Sequence, residues 1–126
     1  MKFQPDTAAG VNVISRHEPQ RLWVGGSVHA HSLLVPWVGE VKAWPVAALA
    51  DLTEAHFLQI LDLQPELVIV GSGARQRFLP AALLRPLLER RIGVETMDTP
   101  AACRTYNVLV SEGRAVVAAL LVEAAG

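Results

Sequence analysis

An α/β architecture is the fold class this sequence predicts, and three observations carry it. The second half of the chain reads as strand, helix, strand, helix, strand, the order that builds a layered sheet with helices against it. Leu67 to Val70 is a short, uninterrupted apolar run, suited to a strand buried on both faces. The first third mixes short β-prone pieces with glycine and proline punctuation, which predicts an antiparallel, hairpin-rich element.

In chain order, the strand candidates of the first third are Val11 to Ile14, Arg21 to Val24, Val28 to Val35 and Glu40 to Trp44, separated by Gly25-Gly26, Pro36 and Gly39. A helix follows, with either Asp51 or Thr53 as N-cap and Asp51 with Glu54 at capping-box spacing. Phe57, Leu58, Ile60 and Leu61 supply its apolar side, and Pro65 ends it. Leu67 to Val70 is then a central strand. Between Pro80 and Arg91, leucines at 83, 84, 87 and 88 recur at helical spacing, with Pro86 placed to bend or shorten that helix. Gly93 closes it, and Val94 to Met97 is the next strand. Thr99 as N-cap and Pro100 at the first helical position start a helix that runs to about Ser111. Glu112-Gly113-Arg114 turns into a last strand, Ala115 to Val122, whose direction the pattern leaves open.

The 126 residues, about half of them hydrophobic, are enough for one domain with a real core and too few for two of ordinary size, so residues 1–126 are expected to form a single domain. Eleven basic residues are scattered among twelve acidic ones for a net charge of −1, which argues against nucleic acid as a partner. The single cysteine, Cys103, excludes an intramolecular disulfide and fits a reducing compartment. The N-terminal residues lack an apolar signal core and no run approaches a membrane span, so a cytoplasmic protein without membrane insertion is expected.

Two loop-to-helix junctions are the places to look for binding. Gly71, Ser72 and Gly73 follow the central strand where α/β folds bind ligands, beyond the carboxyl end of a parallel strand. Glycine lets backbone approach a ligand, Ser72 can donate, and Arg75 can meet an anion. The dinucleotide and Walker patterns fail here on residue identity. The second junction runs from Asp98 and Thr99 into a helix on which Arg104 points away from the apolar face and Asn107 sits at its edge, the latter suited to bonding a neighbouring loop. Cys103 lies between small residues beside that apolar face and reads as a packed small hydrophobe rather than a nucleophile. His29 and His31 share a strand face and start a metal site, but the carboxylate that a cupin-like His-x-His site requires is missing, since Val35 and Pro36 hold those positions and Glu40 comes too late. Trp23, Trp37 and Trp44 are read as packing between the hairpin-rich third and the α/β body, with a partner surface as the other reading. No catalytic residue, metal site or cofactor is assigned.

Three blocks resemble a known family: Pro65 to Gly73, Gly93 to Thr99, and Ala102-Cys103-Arg104-Thr105-Tyr106-Asn107. On these the chain resembles the Mth-domain family, a domain of unknown function (number 498), over nearly its whole length. The family includes mitochondrial complex I assembly factor 3 and uncharacterised bacterial proteins. The resemblance implies a three-layer fold with a central mixed sheet of about five strands, flanking helices and an added antiparallel β element. It implies no reaction. The resulting expectation is an uncharacterised bacterial protein, a non-enzymatic binding or assembly-accessory protein whose ligand or partner site uses Gly71, Ser72, Gly73, Arg75, Asp98, Thr99, Arg104 and Asn107. Its counterpart would be an unknown protein or, alternatively, a small anionic metabolite, bound or transformed at the two junctions. The expected state is monomer or weak homodimer.

Overall fold

The computed structural model describes residues 10–123. Eight strands, β1 (Ile14–Glu18), β2 (Arg21–Val24), β3 (Ser27–His29), β4 (Leu33–Pro36), β5 (Lys42–Ala43), β6 (Leu67–Gly71), β7 (Gly93–Met97) and β8 (Val116–Leu120), combine with three helices, α1 (Glu54–Leu61), α2 (Ala81–Leu88) and α3 (Thr99–Ser111). The main sheet has the order β5-β4-β8-β6-β7, with β6 parallel to both β7 and β8, and β4 antiparallel to β8 and β5. β1, β2 and β3 form a separate antiparallel sheet. The mixed five-stranded sheet and the added antiparallel element are therefore both present; the last strand, β8, takes the centre of the main sheet and runs parallel to β6, which lies beside it.

Sheet pleat explains the apolar runs. Leu67, Ile69, Val116, Ala118 and Leu120 face one way, onto Ala102, Cys103, Tyr106 and Val110 of α3, and Ile14, Leu22 and Val24 of the small sheet join them. Val68, Val70, Val117, Ala119 and Leu121 face the other way, onto Phe57 and Ile60 of α1, Leu87 of α2, and Trp44. With both faces covered, alternation disappears from β6 and β8, which read as continuous hydrophobic stretches. The helices fall on opposite faces because the crossover through α2 steps from β6 outward to β7, whereas the one through α3 steps back over β6 to β8. Keeping both crossovers right-handed requires opposite faces.

Several boundaries differ from those expected, for local reasons. The stretch from Val28 to Val35 is two strands in different sheets: the chain leaves the small sheet after His29, and buried Ser32 anchors its entry to the main one. There the Val122 N–H donates to Ser32 Oγ at 2.9 Å and the Trp44 N–H to the Ser32 carbonyl at 2.9 Å. The first strand is Ile14–Glu18 rather than Val11 to Ile14, with Val11 making only an isolated bridge to Val38. The fourth candidate, Glu40 to Trp44, shortens to Lys42–Ala43. Thr53, not Asp51, caps α1, since Asp51 belongs to a 3₁₀ turn, Leu49–Asp51. The capping box is completed by His56: Thr53 N–H donates to its Nδ1 at 2.9 Å, leaving Nε2–H to donate to the Pro45 carbonyl at 3.0 Å. Pro86 lies inside α2, which stops after eight residues. Asp98, not Thr99, caps α3, so Thr99 is its first residue and Pro100 its second.

Gly71 is required by packing. A Cβ there would lie 2.9 Å from Thr99 Oγ1, 3.0 Å from Thr99 Cα and 3.1 Å from Leu120 Cδ2. Gly71→Ala is expected to lower the unfolding free energy by about 1–3 kcal/mol, the usual cost of overpacking a close contact, whereas Gly26→Ala, which meets nothing within 4 Å, should change it by about 0.5 kcal/mol or less. Urea unfolding of the two variants and the parent checks this difference.

Candidate functional site

β6, β7 and β8 run parallel, so the residues after all three gather at one end of the sheet, where open α/β folds place their ligands. Thr99 sits at the centre of this junction, buried. Its Oγ1 accepts from Gly73 N–H at 2.9 Å and donates to the Leu121 carbonyl at 3.0 Å, while its own N–H donates to the Gly73 carbonyl at 2.8 Å. The first-turn amides of α3 are fully engaged. Pro100 has none, Ala101 N–H donates to Asp98 Oδ1 at 2.7 Å, and Ala102 N–H donates to the Asp98 carbonyl at 2.9 Å. Ser72 is fully buried. Its N–H donates to the Met97 carbonyl at 2.8 Å, its hydroxyl donates to the Arg75 carbonyl at 2.8 Å, and the same oxygen accepts from Arg77 N–H at 3.1 Å. Donors that the sequence offered to a ligand are thus directed inward.

Arg77 and Glu123 complete the junction, and the sequence reading passed over both. Arg77 Nη2 lies 2.6 Å from Glu123 Oε1 and donates to the Ser72 carbonyl at 2.8 Å. This ion pair covers Gly73, where φ is +102° and an added Cβ would lie 2.6 Å from Glu123 Oε1. The missing signal was the direction of the last strand. Once β8 is parallel to β6, the residues that follow it, Glu123 among them, must stand beside the Gly71–Gly73 loop.

A cavity of about 400 Å³ opens between this junction and the turn of the β1–β2 hairpin. Gly73, Ala74, Pro100, Leu121 and Glu123 form one side, and His17, Glu18, Pro19 and Gln20 face them. A second cavity of about 470 Å³ shares Gln20 and Glu123 and extends past His31 to Trp44. Burial works against ionisation of Glu18, but hydrogen bonds from Arg16 and Arg21 outweigh it and hold its carboxyl below the usual range. Arg16 and Arg21 also stack over Trp23, at 4.8 and 5.5 Å from the ring centre. Trp44 is buried in the core with its Nε1–H donating to the His56 carbonyl, and Trp37 is half-buried between the two core faces.

Of the eight residues singled out in the sequence, Gly73 and Thr99 line the first cavity. Gly71, Ser72 and Asp98 lie behind it as structural supports, and Arg75 is exposed on the loop beyond. Arg104 is exposed on α3, while Ser72 is fully buried, so the two present no common concave surface. Asn107 clamps β1: its Oδ1 accepts from Ile14 N–H at 2.9 Å and its Nδ2 donates to the Ile14 carbonyl at 2.8 Å. Neighbouring Tyr106 donates its buried hydroxyl to the Asn12 carbonyl at 2.8 Å, with the Pro36 carbonyl 3.1 Å away. The His29 and His31 rings are 6.0 Å apart, and burial together with His31 pulls the His29 pKa down. Among the described residues no three histidine, cysteine or acidic side chains come together to hold a metal ion, and no helix is long and apolar enough to cross a membrane.

The family model described as a protein of unknown function, DUF498/DUF598, matches residues 14–121. NADH dehydrogenase [ubiquinone] 1 alpha subcomplex assembly factor 3 of Bos taurus is 34% identical over 124 residues, covering 88% of this chain. The chain spans 66% of that protein's length. Among solved structures, a Bordetella parapertussis protein has a TM-score of 0.86 at 40% identity, covering 92% of this chain and 99% of its own. A Bordetella pertussis protein described as an Mth938-like domain has a TM-score of 0.84 at 34% identity, covering 98% and 93%. The Mth-domain resemblance and its three-layer α/β fold are thereby established.

Cys103 is buried, and burial pushes its thiol up to about 12, against a smaller downward pull from Arg104. The native thiol should therefore resist Ellman's reagent at pH 8 and react only at the rate of unfolding. The unfolded chain ionises at about 9.0 and the folded chain at about 12, so the unfolded state binds fewer protons between those values and stability falls as pH rises through that window. The slope is at most about 1.4 kcal/mol per pH unit. Thermal melts from pH 8 to 10 should show it, and Cys103→Ala should flatten it.

Proposed function

This chain belongs to the DUF498/DUF598 family, and from that premise we propose that it is a single-domain, cytoplasmic, non-enzymatic binding or assembly-accessory protein. One observation carries the reading: Ser72, Gly73 and Thr99 of the family's signature are engaged in holding the sheet ends together, while a cavity lined by Pro19, Ala74, Pro100 and Leu121 together with His17, Glu18, Gln20 and Glu123 is left open beside them. A site built this way recognises shape and a surface that mixes apolar and polar groups. In this reading Gly73 and Thr99 form the floor, Arg75 and Arg104 are exposed cations flanking the docking face, and Gly71, Ser72, Asp98 and Asn107 fix its walls. The relatives named as respiratory complex I assembly factors support a protein partner.

A small anionic metabolite is the second reading, favoured by a cavity of about 400 Å³, within the range of small-molecule sites. The engaged amides of α3 and the carboxylates of Glu18 and Glu123 on the cavity walls weigh against it. Crosslinking pull-down with the parent chain, Gln20→Trp and Arg104→Ala separates the readings. Gln20→Trp, which obstructs the cavity mouth, is expected to reduce partner recovery by about tenfold, the scale of losing one central contact, and Arg104→Ala by less. Identical partner sets in all three count against the cavity, and a rise in melting temperature with phosphate or carboxylate metabolites would favour the second reading.

A further inference from the structure

Among the described residues, β7 is an edge of the main sheet, hydrogen-bonded to β6 on one side only. In a parallel ladder the N–H and C=O of one residue point to the same side and alternate along the strand. Gly93 N–H bonds the Glu66 carbonyl and the Met97 carbonyl accepts from Ser72 N–H, so Gly93, Glu95 and Met97 face β6. Val94 and Thr96 therefore direct their backbone groups outward. One of these groups has a protein partner among the described residues: the Thr96 carbonyl accepts from Gln76 Nε2 at 3.1 Å.

Phe78 stands two residues beyond Gln76, with 87% of its surface exposed. Its loop is held in place, since Ser72 Oγ bonds both Arg75 and Arg77, and Arg77 is pinned by Glu123. A large aromatic presented on a fixed loop next to an open strand edge combines an anchor with a template. The two features come from different parts of the chain, and Gln76 ties them into one surface.

Chemistry selects the occupant. A lipid surface would leave the outward Val94 and Thr96 groups without hydrogen-bond partners. A second copy, paired antiparallel so that Val94 and Thr96 of each are used, would set exposed Glu95 directly opposite its own counterpart, an unfavourable like-charge pair. We infer that the β7 edge takes an added extended strand from a partner protein, with Phe78 as the apolar anchor and a lysine or arginine of the incoming strand opposite Glu95. The inference rests on the reading of this chain as a binding protein and names the form its partner takes.

The test uses the full chain, ¹⁵N-labelled, and two blocked heptapeptides of alternating valine and threonine, one with a central lysine and the other with a central glutamate. The lysine peptide is expected to shift the Val94 and Thr96 amides and the Gln76 side-chain amide, and to bind about threefold more tightly than the glutamate peptide, the scale of one cross-strand charge pair. Glu95→Lys should reverse that preference. Thr96→Pro should abolish the shifts without disturbing the β6 ladder, because the N–H it removes points outward. Phe78→Ser, a surface change, should weaken binding with the fold intact. Shifts elsewhere, no shifts at millimolar peptide, or an unchanged preference in Glu95→Lys would overturn the inference. So would a dimer in light scattering that Thr96→Pro dissolves, or Phe78-dependent binding to phosphatidylcholine and phosphatidylglycerol vesicles. If Gln20→Trp abolishes partner capture while Thr96→Pro and Phe78→Ser leave it intact, the cavity reading stands and the edge inference falls.

Discussion

The hydroxyl of Thr99 holds the carboxyl end of the sheet together. It accepts from Gly73 at the end of β6 and donates to Leu121 at the end of β8, from the first residue of the helix that follows β7. One buried side chain thus joins three successive parallel strands. Each bond it makes satisfies a backbone group that would otherwise cost about 1–3 kcal/mol left unpaired in the interior. Other features follow from it. Gly71 has no room for a Cβ beneath Thr99, Asp98 must cap the helix because Thr99 is committed elsewhere, and Gly73 must accept a left-handed conformation under the Arg77–Glu123 pair.

The third signature block works on the same principle at the other side of α3. Tyr106 and Asn107 bond the backbone of Asn12 and Ile14, 94 and 93 residues away, and so bring the N-terminal sheet onto the helix. Position along β1 then decides what faces α3's first turn. With Ile14 clamped by Asn107, His17 and Glu18 are carried to the level of Pro100, where they form the outer wall of the cavity. Residues that looked like ligand donors in the sequence therefore position the walls of the cavity, and its open surfaces come from the hairpin turn and the loop after Gly73.

This division has an electrostatic side. Anion binding at a helix N-terminus depends on amides with no other partner. In α3 a proline, a capping aspartate and the Gly73 carbonyl account for every one of them. The buried thiol of Cys103 is likewise shielded, because the core face that contacts β6 and β8 excludes the water a thiolate needs.

By itself the sequence determined the α/β class, the central strand, the positions of the three helices and the membership signalled by the blocks at 65–73, 93–99 and 102–107. These are local properties: apolar periodicity, capping residues and uninterrupted strands reflect the burial each segment needs wherever its partner lies. Tertiary structure alone decided the rest. Whether β8 runs parallel to β6 depends on α3 packing back across the sheet as a crossover rather than on any local signal in β8, and that direction puts Glu123 beside Gly73 and Arg77. The split of residues 28–35 between two sheets depends on Ser32 meeting Val122, 90 residues away. The fate of the Thr99 hydroxyl and the Gly73 N–H depends on neighbours separated by 22 to 26 residues. Sequence spacing shows which groups are available to bond, and only the packed chain shows which bonds have already been made.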